Sequence, residues 1–527
     1  MSWPHLCDMR WTPEQIQSYY ASGIWTPRGL DALLAVHAAS RPDRLAFADE
    51  STELTWSALE IRVRALGAGL IAAGVAPGDV VAVRMANSVD HAVIVYGVAA
   101  AGAVAFELPP DSSSAQVGHA LLRSRAVALF ADAEPTEGER TALSGPALVA
   151  CGSETVAATG VPDDVELPGQ HPDDVAVLVG TSGTTGTPKI VMRTANATLA
   201  MARNVVSRTG VGGEDVVLVG APLSGGIGYI NGLCTAADRG ATMLVPHAND
   251  PATLFAFIER YRATALQTVP TILRRLLAAP QAATADVSSL GLVQSGGAYL
   301  HAHTAALIES RFDCHVISAY GAVDLGTPSM VDAHHDTAEH RHETVGPFFP
   351  EAEVALLDES GARVPDGEIG EVVMRGPNTA LGYFQDPEAT RALFDEQGWG
   401  HFGDLGRIDE DGYLRIVGRL KEIINRGGKK LSIDEIEGNV RGFPGLRDVA
   451  AVGYADPDLG ERCAVVVVTE PWLKLLTVAK LSAYLSQRRV PKTLWPERVQ
   501  TVDELPLSPQ GKVRRRELRE RLERPTA

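Results

Sequence analysis

Short apolar runs alternate with segments of helical period through the first half of the chain. From about Gly29 to Gly240, the runs Val80–Met85, Ala126–Ala131, Val175–Val179 and Val216–Val219 are each followed by turn residues and a helical pattern. A second series runs from Ala241 to Tyr320 through Thr242–Val245, Ala265–Thr268, Leu292–Gln294 and His315–Ser318, with Ala-, Leu- and Arg-rich helical stretches between them. Alternation of this kind predicts βαβ units around a mostly parallel sheet. From Thr344 to Val417 the texture changes to short strands and Gly turns, which predicts a small antiparallel barrel or sandwich. A mixed α+β segment follows Arg419. The expected fold class is α/β. A large N-terminal domain, 1–420, would hold two βαβ-type sheet subdomains (about 1–240 and 241–343) and a small β-barrel (344–417). A small α+β C-terminal domain, 421–527, would complete the chain.

Composition supports several folding units and narrows the function classes. At 527 residues the chain has room for three or four domains, and 45% hydrophobic with 21% charged residues excludes a disordered or fibrous protein. The formal charge of −18 is unevenly placed. Residues 1–420 carry 27 basic and 50 acidic side chains, whereas 421–527 carry 20 and 15, so two bodies of different character are expected. Overall acidity argues against a nucleic-acid partner, because phosphate binding wants a basic face. The five cysteines, Cys7, Cys151, Cys234, Cys314 and Cys463, lie far apart, with no metal or redox spacing. Met1 to Arg28 lacks the apolar stretch of a signal peptide. The longest apolar run, Ala92 to Phe106, has 15 residues and two glycines, short of the ~20 that a membrane span needs. A soluble cytoplasmic protein without a membrane span is expected, either a monomer or a homodimer.

The strongest chemical signal is the run Thr181-Ser182-Gly183-Thr184-Thr185-Gly186-Thr187-Pro188-Lys189, directly after the apolar run Val175–Val179. Hydroxyls and glycines after a buried strand make a loop whose N–H and O–H groups can approach phosphate oxygens, and the lysine adds a point charge. It is not a Walker A loop, since Lys189 lies three residues beyond Gly186. Further along stand Ser295-Gly296-Gly297-Ala298, Tyr320-Gly321-Ala322-Val323-Asp324 and Gly398-Trp399-Gly400-His401-Phe402-Gly403-Asp404. Gly418-Arg419-Leu420-Lys421 with Asn425-Arg426-Gly427-Gly428, and finally Pro506-Leu507-Ser508-Pro509-Gln510-Gly511-Lys512, complete a set of six segments.

In order and spacing these six resemble the motifs of the adenylate-forming superfamily: acyl- and aryl-CoA synthetases, aryl-AMP ligases, peptide-synthetase adenylation domains and luciferases. The resemblance implies ATP, Mg²⁺ and CoA, with a small-molecule carboxylate as substrate. It assigns Thr181, Ser182, Gly183, Thr184, Gly186 and Lys189 to the nucleotide phosphates, and Thr185 to the catalytic group. Gly297 and Ala298 would form the adenine wall, Tyr320 would stack on adenine, and Asp404 would accept from the ribose hydroxyls. Arg419 would contact phosphate or ribose. Gly296, Gly321 and Ala322 would border the acyl group, and Asp324 would help to position Mg²⁺. Lys421 would be the hinge of a mobile C-terminal domain, with Gly427 and Gly428 along the pantetheine channel. Lys512 would be the catalytic cation that bridges carboxylate and α-phosphate, two anions whose approach needs charge neutralisation.

Three positions depart from the usual motifs. Asp324 stands where most members have Glu, Val323 replaces a common Thr, and Phe402 replaces the Thr that usually precedes Gly-Asp. An Asp is one methylene shorter, so metal coordination would have to shift or pass through water. These departures suggest a variant specialised for the thioester half-reaction, or for binding an acyl-adenylate, with weak adenylation. In the acyl segment, Pro222 to Tyr229, Ser224 and Gly225 stand where amino-acid-activating relatives keep an Asp. Amino-acid activation is therefore not expected. Ser224, Gly225, Gly226 and Tyr229 are the candidate acyl-binding residues, with the glycines opening space for a bulky aryl, alicyclic or polycyclic acid. The expected activity is an ATP-dependent acyl-CoA synthetase. The alternative is a stand-alone acyl-AMP ligase that loads an acyl carrier protein.

Overall fold

The computed structural model describes residues 10–145, 148–157, 166–181, 189–420, 423–427, 429–473, 475–506 and 513–523. The chain divides into two compact units. One comprises residues 1–354 and 373–401, the other 355–372 and 402–527.

The larger unit is built on two sheets. An eight-stranded sheet runs in the order Gly326–Met330, His315–Ala322, Leu292–Gly296, Ala265–Thr268, Val216–Gly220, Thr242–Leu244, Leu45–Ala48, Glu53–Thr55. A seven-stranded sheet runs in the order Gly382–Tyr383, Lys189–Thr194, Val175–Thr181, Val104–Glu107, Val80–Arg84, Ala128–Ala131, Leu148–Ala150. Both are parallel inside, with antiparallel strands only toward their ends. All eight apolar runs of the sequence form strands, because a parallel strand covered on both faces is apolar at consecutive positions.

Strand membership does not follow chain order. Where the sequence suggests a division near residue 240, the sheets exchange segments: Leu45–Thr55 and Val216–Gly220 join the sheet whose other strands come from 242–330, and Gly382–Tyr383 joins the other sheet. One cluster of buried residues draws on both, from Val81, Val83 and Val177 to Phe47, Val217 and Ile317. Within it lies the helix Val89–Ala100, started by Ser88, whose side chain accepts from the His91 N–H at 3.0 Å. This helix and the strand Val104–Glu107 account for the long apolar run. Among the described residues no helix is long and apolar enough to cross a membrane.

The aromatic N-terminal segment packs on the same unit. Trp11 and Trp25 are buried edge-to-face, and their Nε1–H groups donate to the Gly376 and Pro377 carbonyls at 3.1 and 3.0 Å.

The stretch expected as a small barrel forms a four-stranded sheet in the order Glu353–Leu357, Gly370–Arg375, Gly400–Ile408, Leu414–Arg419. Within the smaller unit a further sheet orders Lys429–Ser432, Ile423–Arg426, Gly460–Thr469 and Leu446–Asp456, with Arg498–Thr501 parallel to Gly460–Thr469. The helices Ile433–Arg441 and Val478–Gln487 contribute Ile436, Val440, Leu481 and Leu485 to its core. Cys234, Cys314 and Cys463 are buried free thiols and Cys151 is an exposed one.

Candidate active site

The chemistry-bearing segments of the larger unit lie at the C-terminal ends of parallel strands. Strand Val216–Gly220 leads into Pro222–Tyr229, Leu292–Gly296 into Gly297 and Ala298, and His315–Ala322 into Val323 and Asp324. That edge is where open α/β sheets bind their ligands. The segments touch. A Cβ placed on Gly296 would meet Ile227 Cδ1 at 3.3 Å, and one on Gly226 would meet Val323 at 3.8 Å. The adenine-wall, acyl and Tyr320–Asp324 segments are therefore brought together.

Local conformation explains how. The pairing of His315–Ala322 with Gly326–Met330 shifts register between Tyr320 and Ala322, and a side chain at Gly321 would fall 2.5 Å from the Gly326 carbonyl. This bulge re-aims the residues that follow. Ile227–Cys234 is a π-helix, a form concentrated at functional sites. The three glycines before and within it do different work. Gly228 lies against Pro222, whose carbonyl oxygen would be 2.2 Å from any Cβ there, so its role is close packing. Gly225 and Gly226 have space in front of them, with nearest neighbours at 3.4 and 3.8 Å. Ser224 is buried, and Tyr229 sits in the main core with its phenol pushed well above the ordinary range by burial.

Residues 182–188 of the phosphate loop, including Ser182, Gly183, Thr184, Thr185 and Gly186, lie outside the described residues. The flanking strands show its setting. Thr181 pairs with Lys189 and Gly180 with Ile190, so seven residues link two antiparallel strands rather than a strand and a helix. The next described element after Val175–Thr181 is thus an antiparallel strand, where the alternating pattern predicts a helix.

The strand after this loop and its edge partner Gly382–Tyr383 supply two residues that the motifs do not include. Arg193 is fully buried. Its Nη1 donates to the Val323 carbonyl at 2.7 Å and its Nη2 to the Asn378 and Ala197 carbonyls at 2.7 and 3.2 Å, with Nε 3.4 Å from Thr198 Oγ1. Burial lowers its pKa to about 10, against the opposing pull of Cys234, Asp324 and Tyr229. It remains a cation at neutral pH, held by backbone oxygens directly behind Asp324. Asp324 itself accepts a 2.5 Å hydrogen bond at Oδ2 from the Tyr383 hydroxyl. Burial, then the Asp324 charge, push the Tyr383 phenol well above its usual range, so the proton stays on Oη. Lys189 Nζ sits 4.6 Å from the centroid of the same ring.

Asn87, at the end of strand Val80–Arg84, is a third missed residue. Its Nδ2 donates to the Ala221 carbonyl and its Oδ1 accepts from the Leu223 N–H, both at 2.8 Å, so one buried amide clamps the backbone on each side of Pro222. The signals were faint: a lone arginine in an apolar strand, a tyrosine after a glycine turn, and an asparagine at a strand end.

Asp324 also bears on the Mg²⁺ that the resemblance implies. Its Oδ1 has no hydrogen bond to a described residue, and no group of three or more His, Cys, Asp or Glu that could hold a metal occurs among the described residues. One free carboxylate oxygen suits Mg²⁺, which takes one or two carboxylates together with phosphate oxygens and water.

In the smaller unit, Asp404 and Arg419 are register partners on adjacent strands and form an ion pair at 3.1 Å, with Asp404 buried and Arg419 largely exposed. The two residues assigned to ribose and phosphate are therefore neighbours. Gly427 has a φ of +57° and opens the two-residue link between Arg426 and Lys429, which pair across the hairpin. A cleft of roughly 250 Å³ is lined here by Arg426, Gly427, Lys429, Leu431, Leu459 and Thr493. The Arg426 guanidinium is held by Glu497 and the Thr493 carbonyl, whereas Lys429 makes no ion pair among the described residues. Lys421, Gly428 and Lys512 lie outside the described residues. Of the described residues on either side of Lys512, the Arg514 N–H donates to the Pro506 carbonyl at 2.8 Å.

Comparison with known proteins gives the family. Residues 34–384 match the AMP-binding enzyme family, and 435–512 match the AMP-binding enzyme C-terminal domain. A feruloyl-CoA synthase of an Amycolatopsis species is 33% identical over 500 residues, covering 94% of this chain and 99% of its own. The medium-chain fatty-acid–CoA ligase of Escherichia coli K12 is 29% identical, covering 94% and 91%. Among solved structures, ATP-bound MatB from Rhodopseudomonas palustris superposes with a TM-score of 0.82 at 27% identity, covering 94% of this chain and 99% of its own. The chain belongs to the AMP-binding enzymes, and it is an adenylate-forming acid–thiol ligase.

Proposed function

We propose that this ligase activates a bulky aryl, alicyclic or polycyclic carboxylate and passes it to CoA. The observation that carries the substrate class is the space left at Gly225 and Gly226 beside Val323, with no acidic side chain at Ser224 or Gly225 to receive an amine. The ring-bearing acid named for the feruloyl-CoA synthase supports the same reading.

In the first step a carboxylate oxygen attacks the α-phosphate of ATP and pyrophosphate leaves. Lys512 would neutralise the charge gathering between the two anions, while the Thr181–Lys189 run would hold the phosphates. Mg²⁺, when bound, supplies charge neutralisation at the phosphates, and Asp324 is the residue that would hold it. Tyr320 would stack on adenine, and Asp404, oriented by Arg419, would accept from the ribose. In the second step the thiolate attacks the acyl carbon and AMP leaves. The C-terminal domain would turn about Lys421 to bring the Gly427–Gly428 link alongside the pantetheine arm.

A panel of acids read by ATP–pyrophosphate exchange tests the substrate class. Ring-bearing acids should exceed acetate and straight-chain acids, and Gly226→Val should cut exchange with the largest ring acids about tenfold or more while sparing small ones. Equal loss across the panel would remove these glycines from the pocket. Asn87→Ala should raise KM for the acid about tenfold, roughly the value of a lost buried hydrogen bond, with KM for ATP unchanged. An unchanged acid KM would show that the loop around Pro222 is held without it.

A second reading is favoured by the charge balance of residues 421–527, 20 basic against 15 acidic. Such a surface suits an acidic carrier protein as well as the phosphates of CoA. Thioester formation with free CoA against a holo carrier protein separates the two acceptors.

A further inference from the structure

The replacement of Glu by Asp at position 324 leaves a carboxylate one methylene short of its usual reach. The structure shows what fills the gap. The Tyr383 hydroxyl bonds Asp324 Oδ2 at 2.5 Å and leaves Oδ1 without a partner among the described residues. Tyr383 is itself fixed. Its backbone pairs with Val191, its N–H donates to Thr390 Oγ1 at 2.9 Å, and its side chain is buried. The residue before it, Gly382, has a φ of +129° and would drive a Cβ to within 2.5 Å of Thr390, so the turn that delivers Tyr383 requires glycine. The face of the Tyr383 ring carries Lys189, the last residue of the phosphate run. One side chain thus touches both Asp324 and Lys189.

We infer that Tyr383 is a positioning residue for adenylation: its hydroxyl locks the short Asp324 carboxylate so that Oδ1 alone is presented to the metal–phosphate group, and its ring seats Lys189 beside the same phosphates. A free aspartate side chain would sample several rotamers, whereas a carboxylate tied at one oxygen offers the other in a single direction. Partners of this kind, which orient a metal's carboxylate without touching the metal, change affinity or activity by about 10–100-fold when removed. On this reading the Asp at 324 is a compensated substitution rather than a damaged site, and adenylation is efficient.

The inference rests on the assignment of Asp324 to the metal–phosphate step, and the experiment separates the two. Tyr383→Phe keeps the ring for Lys189 and removes only the hydroxyl. ATP–pyrophosphate exchange should fall about 10–100-fold, whereas thioester formation from a preformed acyl-adenylate should hold near its normal rate, which also reports a folded enzyme. Mn²⁺ affinity of the enzyme–ATP complex, read by the paramagnetic resonance of free Mn²⁺ without any acid present, should weaken by a similar factor. In an Asp324→Asn background the same Tyr383→Phe change should add less than twofold, because the two residues act as one unit. If Asp324→Asn alone leaves exchange and Mn²⁺ affinity intact, the metal assignment and the inference both fall. If Asp324→Asn is impaired but Tyr383→Phe matches the wild type, or if the two losses multiply, only the inference is overturned.

Discussion

Arg193→Met is expected to lower the stability of the larger unit by about 3–5 kcal/mol, one of the largest effects that a single change in this protein should produce. The arginine is fully buried and among the described residues has no carboxylate in direct contact; its partners are the carbonyls of Val323, Asn378 and Ala197 and the Thr198 hydroxyl. Methionine fills much of the volume but leaves those oxygens in an apolar interior, at a cost of about 1–3 kcal/mol for each one unsatisfied. Arg193→Lys should fall between, since an ammonium keeps the charge but cannot fork to two carbonyls. Thermal unfolding of the three proteins side by side measures this. A Met variant with the wild-type midpoint would show that the backbone around Val323 finds other donors. Where the variants stay folded, adenylation should decline in the same order, because the Val323 carbonyl directly precedes Asp324.

Lys512→Ala should slow ATP–pyrophosphate exchange about 10²–10³-fold, the range found when one preorganised electrostatic group is removed from a developing anion. Thioester formation from a preformed acyl-adenylate should persist, since by then the two anions have already joined. The Pro506–Arg514 hydrogen bond is made by main-chain atoms of residues on either side of Lys512, so a change of the Lys512 side chain removes neither partner. Equal losses in both half-reactions would remove Lys512 from its assigned role and leave it as a general determinant of binding or folding.

These two residues differ in how far the sequence exposed them. Lys512 stands in a motif, and the motif's order along the chain sufficed to single it out. Arg193 does not, because its partners are main-chain carbonyls 130 and 185 positions away, and a carbonyl leaves no trace in residue identity. The same division holds for the fold. Strands buried on both faces, such as Val80–Arg84 and Ala265–Thr268, appear as unbroken apolar runs and were legible to within a few residues. Glu53–Thr55 and Gly382–Tyr383 were not, being two or three residues long at the ends of sheets. Within the π-helix Ile227–Cys234, Gly228 lies against the Pro222 carbonyl, a close approach that no periodicity encodes. At the candidate site, the motifs name the segments that the structure brings together, Gly225–Gly226, Gly296 and Val323 among them. What holds them, Asn87, Arg193 and Tyr383, lies outside the motifs.

The exchange of strands between the two large sheets has a consequence for how the chain reaches this state. Leu45–Ala48 must wait for Thr242–Leu244, nearly two hundred residues later, and Lys189–Thr194 for Gly382–Tyr383. Closing loops of that length before any pairing rewards them makes assembly slow, and strand edges stay open while synthesis continues. A nascent chain released near residue 240 would carry the exposed edge of Leu45–Ala48 and an incomplete core. The seven-stranded sheet, with six strands between Val80 and Thr194, can therefore assemble early, whereas the eight-stranded sheet must close late, and the edge of Leu45–Ala48 is open to aggregation until Thr242–Leu244 has left the ribosome.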